Sequence, residues 1–266
     1  MLILPVLLGA AIGMILGLTG AGGGILAVPA LVMGLGMSLT QAAPIALIAV
    51  GAAAALGAAD GLRRGLVRYK AAALMSVVGA LTAPLGLAIA HRLPAFWLAV
   101  LFSFAMLAVA WRMFRQSLQA AHAHDAMADA RKPCHISPQT GKFIWTGRAG
   151  VSISLIGAVS GLCTGMLGVG GGFIIVPALT ALTDAPMRTI VPTSLMVIAL
   201  VSSAAVLAAL DRGVDFPPAA WWFIAATGAG MLLGRIVSGR IPACWVQRSF
   251  AIVCVVVAAV LVARAW

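Results

Sequence analysis

The stretch Gly13-Met-Ile-Leu-Gly17-Leu-Thr-Gly20-Ala-Gly22-Gly23-Gly24-Ile-Leu-Ala-Val-Pro29-Ala-Leu31 decides the fold, because the chain writes it twice. It returns as Gly161-Leu-Cys-Thr-Gly165-Met-Leu-Gly168-Val-Gly170-Gly171-Gly172-Phe-Ile-Ile-Val-Pro177-Ala-Leu179, with ten of nineteen positions identical at an offset of 148. Without a gap, the same offset pairs Pro44 with Pro192, Leu47 with Leu195, Gly86 with Gly234 and Trp97 with Trp245. The chain is therefore a duplicated unit. A glycine triplet followed by proline suits no continuous helix, since glycine costs about 1 kcal/mol and proline about 3 in a helix interior. Set in apolar sequence once per repeat, such a break is how many transporters make a substrate site at membrane depth.

Of all residues, 63% are hydrophobic and 9% charged, against roughly 25% charged in soluble domains. Apolar runs near the length of about 20 residues that spans a bilayer lie at 2–20, 44–60, 71–90 and 96–111, then at 149–166, 190–210, 217–237 and 242–262. A shorter apolar piece, 22–37 or 171–183, follows the first run of each set. The expected fold is an all-α polytopic membrane protein of two homologous repeats, each with about four spans and a glycine-rich broken or re-entrant helix. The expected organisation is a first repeat over 1–115, a hydrophilic cytoplasmic linker over 116–142 and a second repeat over 143–266. The first expectation is that the short pieces complete a broken span, which gives eight spans, parallel repeats and both termini inside. Short pieces that cross separately give ten segments, inverted repeats and both termini outside.

The net charge of +11 comes from basic residues scattered in short loops and at span ends, with no aromatic interleaving that would suit nucleic acid. Membrane topology accounts for it: Arg63, Arg64, Arg68 and Lys70 crowd one loop, the linker is basic, and both are expected to face the cytoplasm. The N-terminal run lacks a basic leader and is read as a retained first span.

Residues able to do chemistry are few. The chain has no glutamate, its four histidines lie in loops or the linker, and its six aspartates lie at span ends or outside. Gly141-Lys142-Phe143 fails the phosphate-loop pattern, and Ile25 stands where a dinucleotide fingerprint needs its third glycine. Neither an enzyme nor a cofactor is expected, and no metal, because His122, His124, Cys134 and His135 match no usual zinc spacing. Cys134, Cys163, Cys244 and Cys254 form no disulfide framework. Cys163 replaces Ile15 of the first repeat and is a small apolar filler or a redox thiol.

The triplets permit a physical proposal. A helix resuming at Gly24 or Gly172 points unpaired N–H groups and the positive end of its dipole into the break, where an anion binds. The candidate substrate-binding residues are Thr19, Gly22, Gly23, Gly24, Thr164, Gly170, Gly171, Gly172, Thr193 and Ser194. Arg235 and Arg248, which replace Leu87 and Val100 of the first repeat, are candidate anion sensors. Asp60 beside Arg63 and Arg64 is a local ion-pair partner. Gly13, Gly17, Gly161 and Gly165 have the spacing of helix packing. On this reading Gly23→Ala and Gly171→Ala leave stability near normal and sharply reduce anion flux and binding, whereas Gly13→Ala weakens stability more than binding.

The paired Gly-x-x-Gly-x-Gly-Gly-Gly-x-x-x-x-Pro-x-Leu motifs, Gly17 to Leu31 and Gly165 to Leu179, with Pro44 and Pro192 in register, resemble the TauE/SafE sulfite exporter family, also called the toluene sulfonate uptake permease family. The resemblance covers nearly the whole chain apart from the linker. It implies a small multi-pass permease of the bacterial inner membrane that moves sulfite, sulfonates, thiosulfate or related organic anions. Pro192-Thr193-Ser194 stands against Pro44-Ile45-Ala46, so the hydroxyl contribution is one-sided. The function expected is secondary transport of a small anion with alternating exposure between the repeats, with proton or ion coupling open. The alternatives are a channel-like anion conduit and a membrane-integral sulfur-handling redox protein.

Overall fold

The computed structural model describes residues 3–20, 23–119, 147–183, 186–210, 217–238 and 243–265, and in it the apolar runs become ten α-helices. α1 (Ile3–Thr19) stops at the first glycine cluster, and a 3-10 turn over Gly23–Leu26 opens α2 (Ala27–Leu35). α3 (Leu39–Arg63), α4 (Tyr69–Arg92) and α5 (Ala95–Gln119) complete the first half. α6 (Gly147–Leu167) stops at the second cluster, followed by α7 (Gly172–Leu182), α8 (Met187–Leu210), α9 (Pro218–Val237) and α10 (Ala243–Ala265). Six of them, α3, α4, α5, α6, α8 and α9, are long and apolar enough to cross a bilayer. The expected domain boundary at 115 falls inside α5, and the linker with His122, His124, Cys134 and His135 lies outside the described residues, apart from the last turn of that helix.

Local chemistry explains the breaks. Gly20 and Gly168 adopt the left-handed conformation, at φ of 78° and 68°, and their N–H groups bond back to Leu16 and Thr164, closing α1 and α6 as glycine C-caps do. The chain then reverses: Gly23 lies against Leu16 and Gly34 against Leu8, so α2 returns along α1 instead of continuing it. Pro29 sits in the first turn of α2, where its missing N–H is tolerated. At the start of α3, the Gln41 side chain accepts from the Ser38 N–H at 3.4 Å and caps the helix.

Close contacts fix the direction of each helix pair. α1 and α9 run parallel, with Gly9 on Phe223, Gly13 on Thr227 and Gly17 on Met231. α4 and α6 also run parallel, with Gly157 on Met75, Gly161 on Gly79 and Gly165 on Ala83. α3 and α8 run antiparallel, with Gly51 on Ser202, Gly57 on Leu195 and Gly61 on Pro192. α5 and α10 are antiparallel too, joined where Ser103 donates to the Ala258 carbonyl, with Ala110 and Phe114 lining one crevice together with Ala251 and Val255. Helices at matching places in the two halves thus oppose one another, while the mixed pairs align. These directions match inverted units about an axis lying across the helices, although α2 and α7, at 9 and 11 residues, fall short of the roughly 20 that a separate crossing needs. The eight-span arrangement with parallel units does not fit, because it treats each glycine break as a kink within one span, whereas the chain turns back there.

The arrangement puts the 64–68 loop and the start of α8 at one end of the bundle, and the 36–38 and 93–94 loops at the other. Arg63, Arg64, Arg68, Lys70 and Arg188 gather at the first end, the one that the excess of basic residues predicts to face the cytoplasm. Single cysteines placed at Gly65 and Met187 in a cysteine-free background should therefore label only after the membrane is permeabilised, and those at Gly36 and Pro94 in intact cells. Labelling of Gly36 and Gly65 from the same side would refute the inverted arrangement.

Candidate functional site

The two glycine breaks meet at the centre of the bundle, where α3 crosses α8. Val50 of α3 touches both Gly24 and Gly170, Ile198 of α8 touches Gly170, and a Cβ on Gly24 would fall 2.8 Å from the Val169 carbonyl oxygen. Each break is received by the other half: Gly20 packs on Val191, beside Pro192 of α8, and Gly168 on Ala43, beside Pro44 of α3. The residues just before the two prolines that follow the motifs in register, Ala43 and Val191, are thus the seats of the opposite turn tips. The crossing is closely packed, with Val50 and Ile198 fully buried.

Polar groups at the crossing serve mainly to tie off the breaks. Thr19 donates to the Ile15 carbonyl at 2.7 Å and accepts from the Gly23 N–H at 3.3 Å, stitching α1 to the returning turn. Thr164 donates to the Ser160 carbonyl at 2.7 Å, and Ser160 donates to the Gly171 carbonyl at 3.2 Å. Gly170 and Gly171 hold left-handed φ of 76° and 61°, and Gly172 opens α7. One hydroxyl differs from these: Ser202 Oγ on α8 is buried without a partner and faces Gly170 and Gly51.

The candidate residues therefore divide. Thr19, Gly23, Gly24, Thr164, Gly170, Gly171 and Gly172 come together at or beside the crossing, and Gly22 lies outside the described residues. Thr193 and Ser194 do not join them as donors. Thr193 donates to the Thr189 carbonyl at 2.6 Å and accepts the Arg68 N–H at 3.0 Å, and Ser194 donates to the Val191 carbonyl at 2.8 Å. Arg235 carries its charge to Asp60, with Nε 3.0 Å from Oδ2, and donates to the Gly57 carbonyl at 2.8 Å. Arg64 holds the other oxygen of Asp60 at 3.0 Å. Arg248 is exposed on α10, which packs chiefly on α5.

The triplets are also tighter than their composition suggests. A Cβ on Gly23 would lie 2.7 Å from Leu16 Cα, and one on Gly171 would lie 2.6 Å from both the Ser160 carbonyl oxygen and Thr164 Oγ1, besides needing a positive φ. Alanine at either position therefore disturbs the fold as well as the site, which corrects the expectation that these two substitutions spare stability.

Two groups escape a reading of the motifs. Ser202 lies in a run of small residues, Val201-Ser-Ser-Ala-Ala205, that carries no spacing signal. Arg112 ends an apolar run and is followed by Arg115, so it has the look of a span end, yet it lies within α5 and its Nη2 donates to the Pro177 carbonyl of α7. Its counterpart at the repeat offset is Val260, the same asymmetry that marks Arg235.

Comparison with known proteins points to one family of membrane proteins. The family model described as "Sulfite exporter TauE/SafE" matches residues 5–261. A "Probable membrane transporter protein" of Xylella fastidiosa strain 9a5c is 29% identical over 263 residues, covering 97% of this chain and 94% of the relative. A protein of the same description from strain Temecula1 / ATCC 700964 is 27% identical over 261 residues, with the same coverage. No solved structure matched.

Proposed function

The chain belongs to the TauE/SafE family of membrane transporters, a multi-pass integral membrane protein by its six long apolar helices, and from that premise we propose that it is a secondary transporter of small anions, sulfite, a sulfonate or a related sulfur-containing or organic anion, with a substrate station at the α3–α8 crossing. The observation that carries this reading is the meeting of two reversed glycine breaks at one point, with the N-terminal ends of the 3-10 turn and of α7 turned toward it. Helix N-termini in a low-dielectric setting favour negative charge. A crossing packed by Val50 and Ile198 suits a site exposed alternately to the two ends, and argues against a standing conduit.

The glycines are poor test positions, since their substitution also strains the fold. Ser202 is a better one, because its hydroxyl is buried, has no partner and packs on Gly170. Losing a hydrogen bond to a charged ligand costs about 1.5–3 kcal/mol, so Ser202→Ala should weaken anion binding roughly 10- to 100-fold while the protein elutes and melts like the parent. The assay is flux in proteoliposomes with sulfite, thiosulfate, sulfonates and small carboxylates, with and without a pH gradient. Unchanged affinity in Ser202→Ala would remove the crossing as the substrate station, and no flux of any anion would remove the transport reading itself.

A further inference from the structure

Arg112 stands out because nothing described neutralises it. Asp60 is the one carboxylate among the described residues, and Arg64 and Arg235 hold it. Its Nη2 reaches the Pro177 carbonyl, its Nε is buried without a partner, and the residues that share its cavity are apolar apart from Cys163. A cation in that position is costly unless an anion joins it.

The guanidinium opens on a cavity of about 400 Å³ between α5, α6 and α7, walled by Phe104, Val109, Cys163, Met166 and Phe173. A narrow recess beside it is lined by Arg112, Thr19 and Gly172, so one side chain faces both the cavity and the second glycine break. We propose that this cavity is a binding station for an organic anion, with a single negatively charged head on Arg112 and a compact apolar body against α5, α6 and α7. The proposal rests on the transport reading and narrows its substrate class. A bare oxyanion would leave the apolar wall uncovered, whereas an organic sulfonate or carboxylate with a hydrocarbon body satisfies the charge and the wall together. An anionic phospholipid offers the same chemistry from the bilayer, toward which Phe104 is exposed, and the test separates the two sources.

Cys163 is a reporter already in the cavity. The full chain, with Cys134, Cys244 and Cys254 replaced, is reconstituted in phosphatidylcholine vesicles, and Cys163 is reacted with an anionic and a cationic methanethiosulfonate. The anionic reagent should react roughly tenfold faster or more, as a charge-assisted pairing predicts. Hexanesulfonate should slow it, and methanesulfonate at the same concentration should not. Arg112→Gln should erase both the preference and the protection, and Arg112→Lys should keep the preference for the anion. Equal rates for the two reagents, or hexanesulfonate protection that survives Arg112→Gln, would overturn the proposal. So would protection that appears only when an anionic phospholipid is added, since the lipid is then the ligand. Should Arg112→Gln fail to fold, the parent and Arg112→Lys still decide the matter. Protection without flux of any anion would sink the transport reading and leave this site standing. Flux that is normal in Arg112→Gln, with no protection in the parent, would sink this site alone.

Discussion

Gly13→Ala should cost most of the folded protein. Gly13 sits where α1 and α9 touch backbone to backbone: a methyl group there would enter the van der Waals radius of the Thr227 carbonyl oxygen and come within 2.8 Å of the Met231 N. Neither neighbour is a flexible side chain that can swing away, so the helices must separate. Gly9 and Gly17 on the same face, and Gly230 and Gly234 across from them, then lose their contacts in turn. Helix association in lipid has no hydrophobic drive between the helices and depends on this packing. Overpacking commonly costs about 1–3 kcal/mol, and a row of coupled contacts places this site at or above the upper end. The expected result is a large fall in the yield of monodisperse protein and in the melting temperature. Gly150→Ala in α6 is the control, because nothing lies within 4 Å of the added carbon. It should be neutral, or stabilising by up to about 1 kcal/mol through helix propensity. If the two variants melt alike, the close contact between α1 and α9 is not what holds the bundle.

The same contacts show why some features were legible and others were not. Helix positions followed from apolar run length, and the packing role of Gly13, Gly17, Gly161 and Gly165 followed from four-residue spacing, because both signals are local and periodic. The direction of α2 after Gly23 depends on the left-handed turn at Gly20 and on which surface Leu16 and Leu8 offer, and hydropathy carries no information about either. The number of passes in each half, and with it the relation between the halves, hangs on that one turn. Thr193 shows a different limit. A hydroxyl in a span is equally suited to a ligand and to the carbonyl four residues back, and here Thr189 takes it. Ser202 and Arg112 were missed for the converse reason, since an unsatisfied group is recognised only when its surroundings are known.

Arg235→Leu should also damage the fold, and its partner residue decides what it means. Asp60 stands where the second half has Ala208, and Arg235 where the first half has Leu87, so the two departures from symmetry meet each other. They clamp α3 to α9 at the basic end of the bundle through an ion pair at 3.0 Å and the 2.8 Å bond to the Gly57 carbonyl. Breaking a buried pair costs about 3–5 kcal/mol through the charge left behind. Partial exposure of both side chains and the help of Arg64 reduce this, and about 1–3 kcal/mol is expected after screening. Asp60→Asn should do equal or greater harm, because it strands Arg235 inside. The double variant Asp60→Ala with Arg235→Leu installs the two apolar residue types that stand at the offset positions in the sequence, Ala208 and Leu87, leaves no stranded charge there, and should regain most of the lost stability. Coupling of this kind reaches about 0.5–3 kcal/mol between contacting residues. Flux then separates a clamp from an anion sensor. A clamp can be replaced by a neutral pair, so transport should return with stability in the double variant. A sensor cannot be restored by removing Asp60, so a double variant that is stable but binds no anion would mean that Arg235 serves the substrate after all.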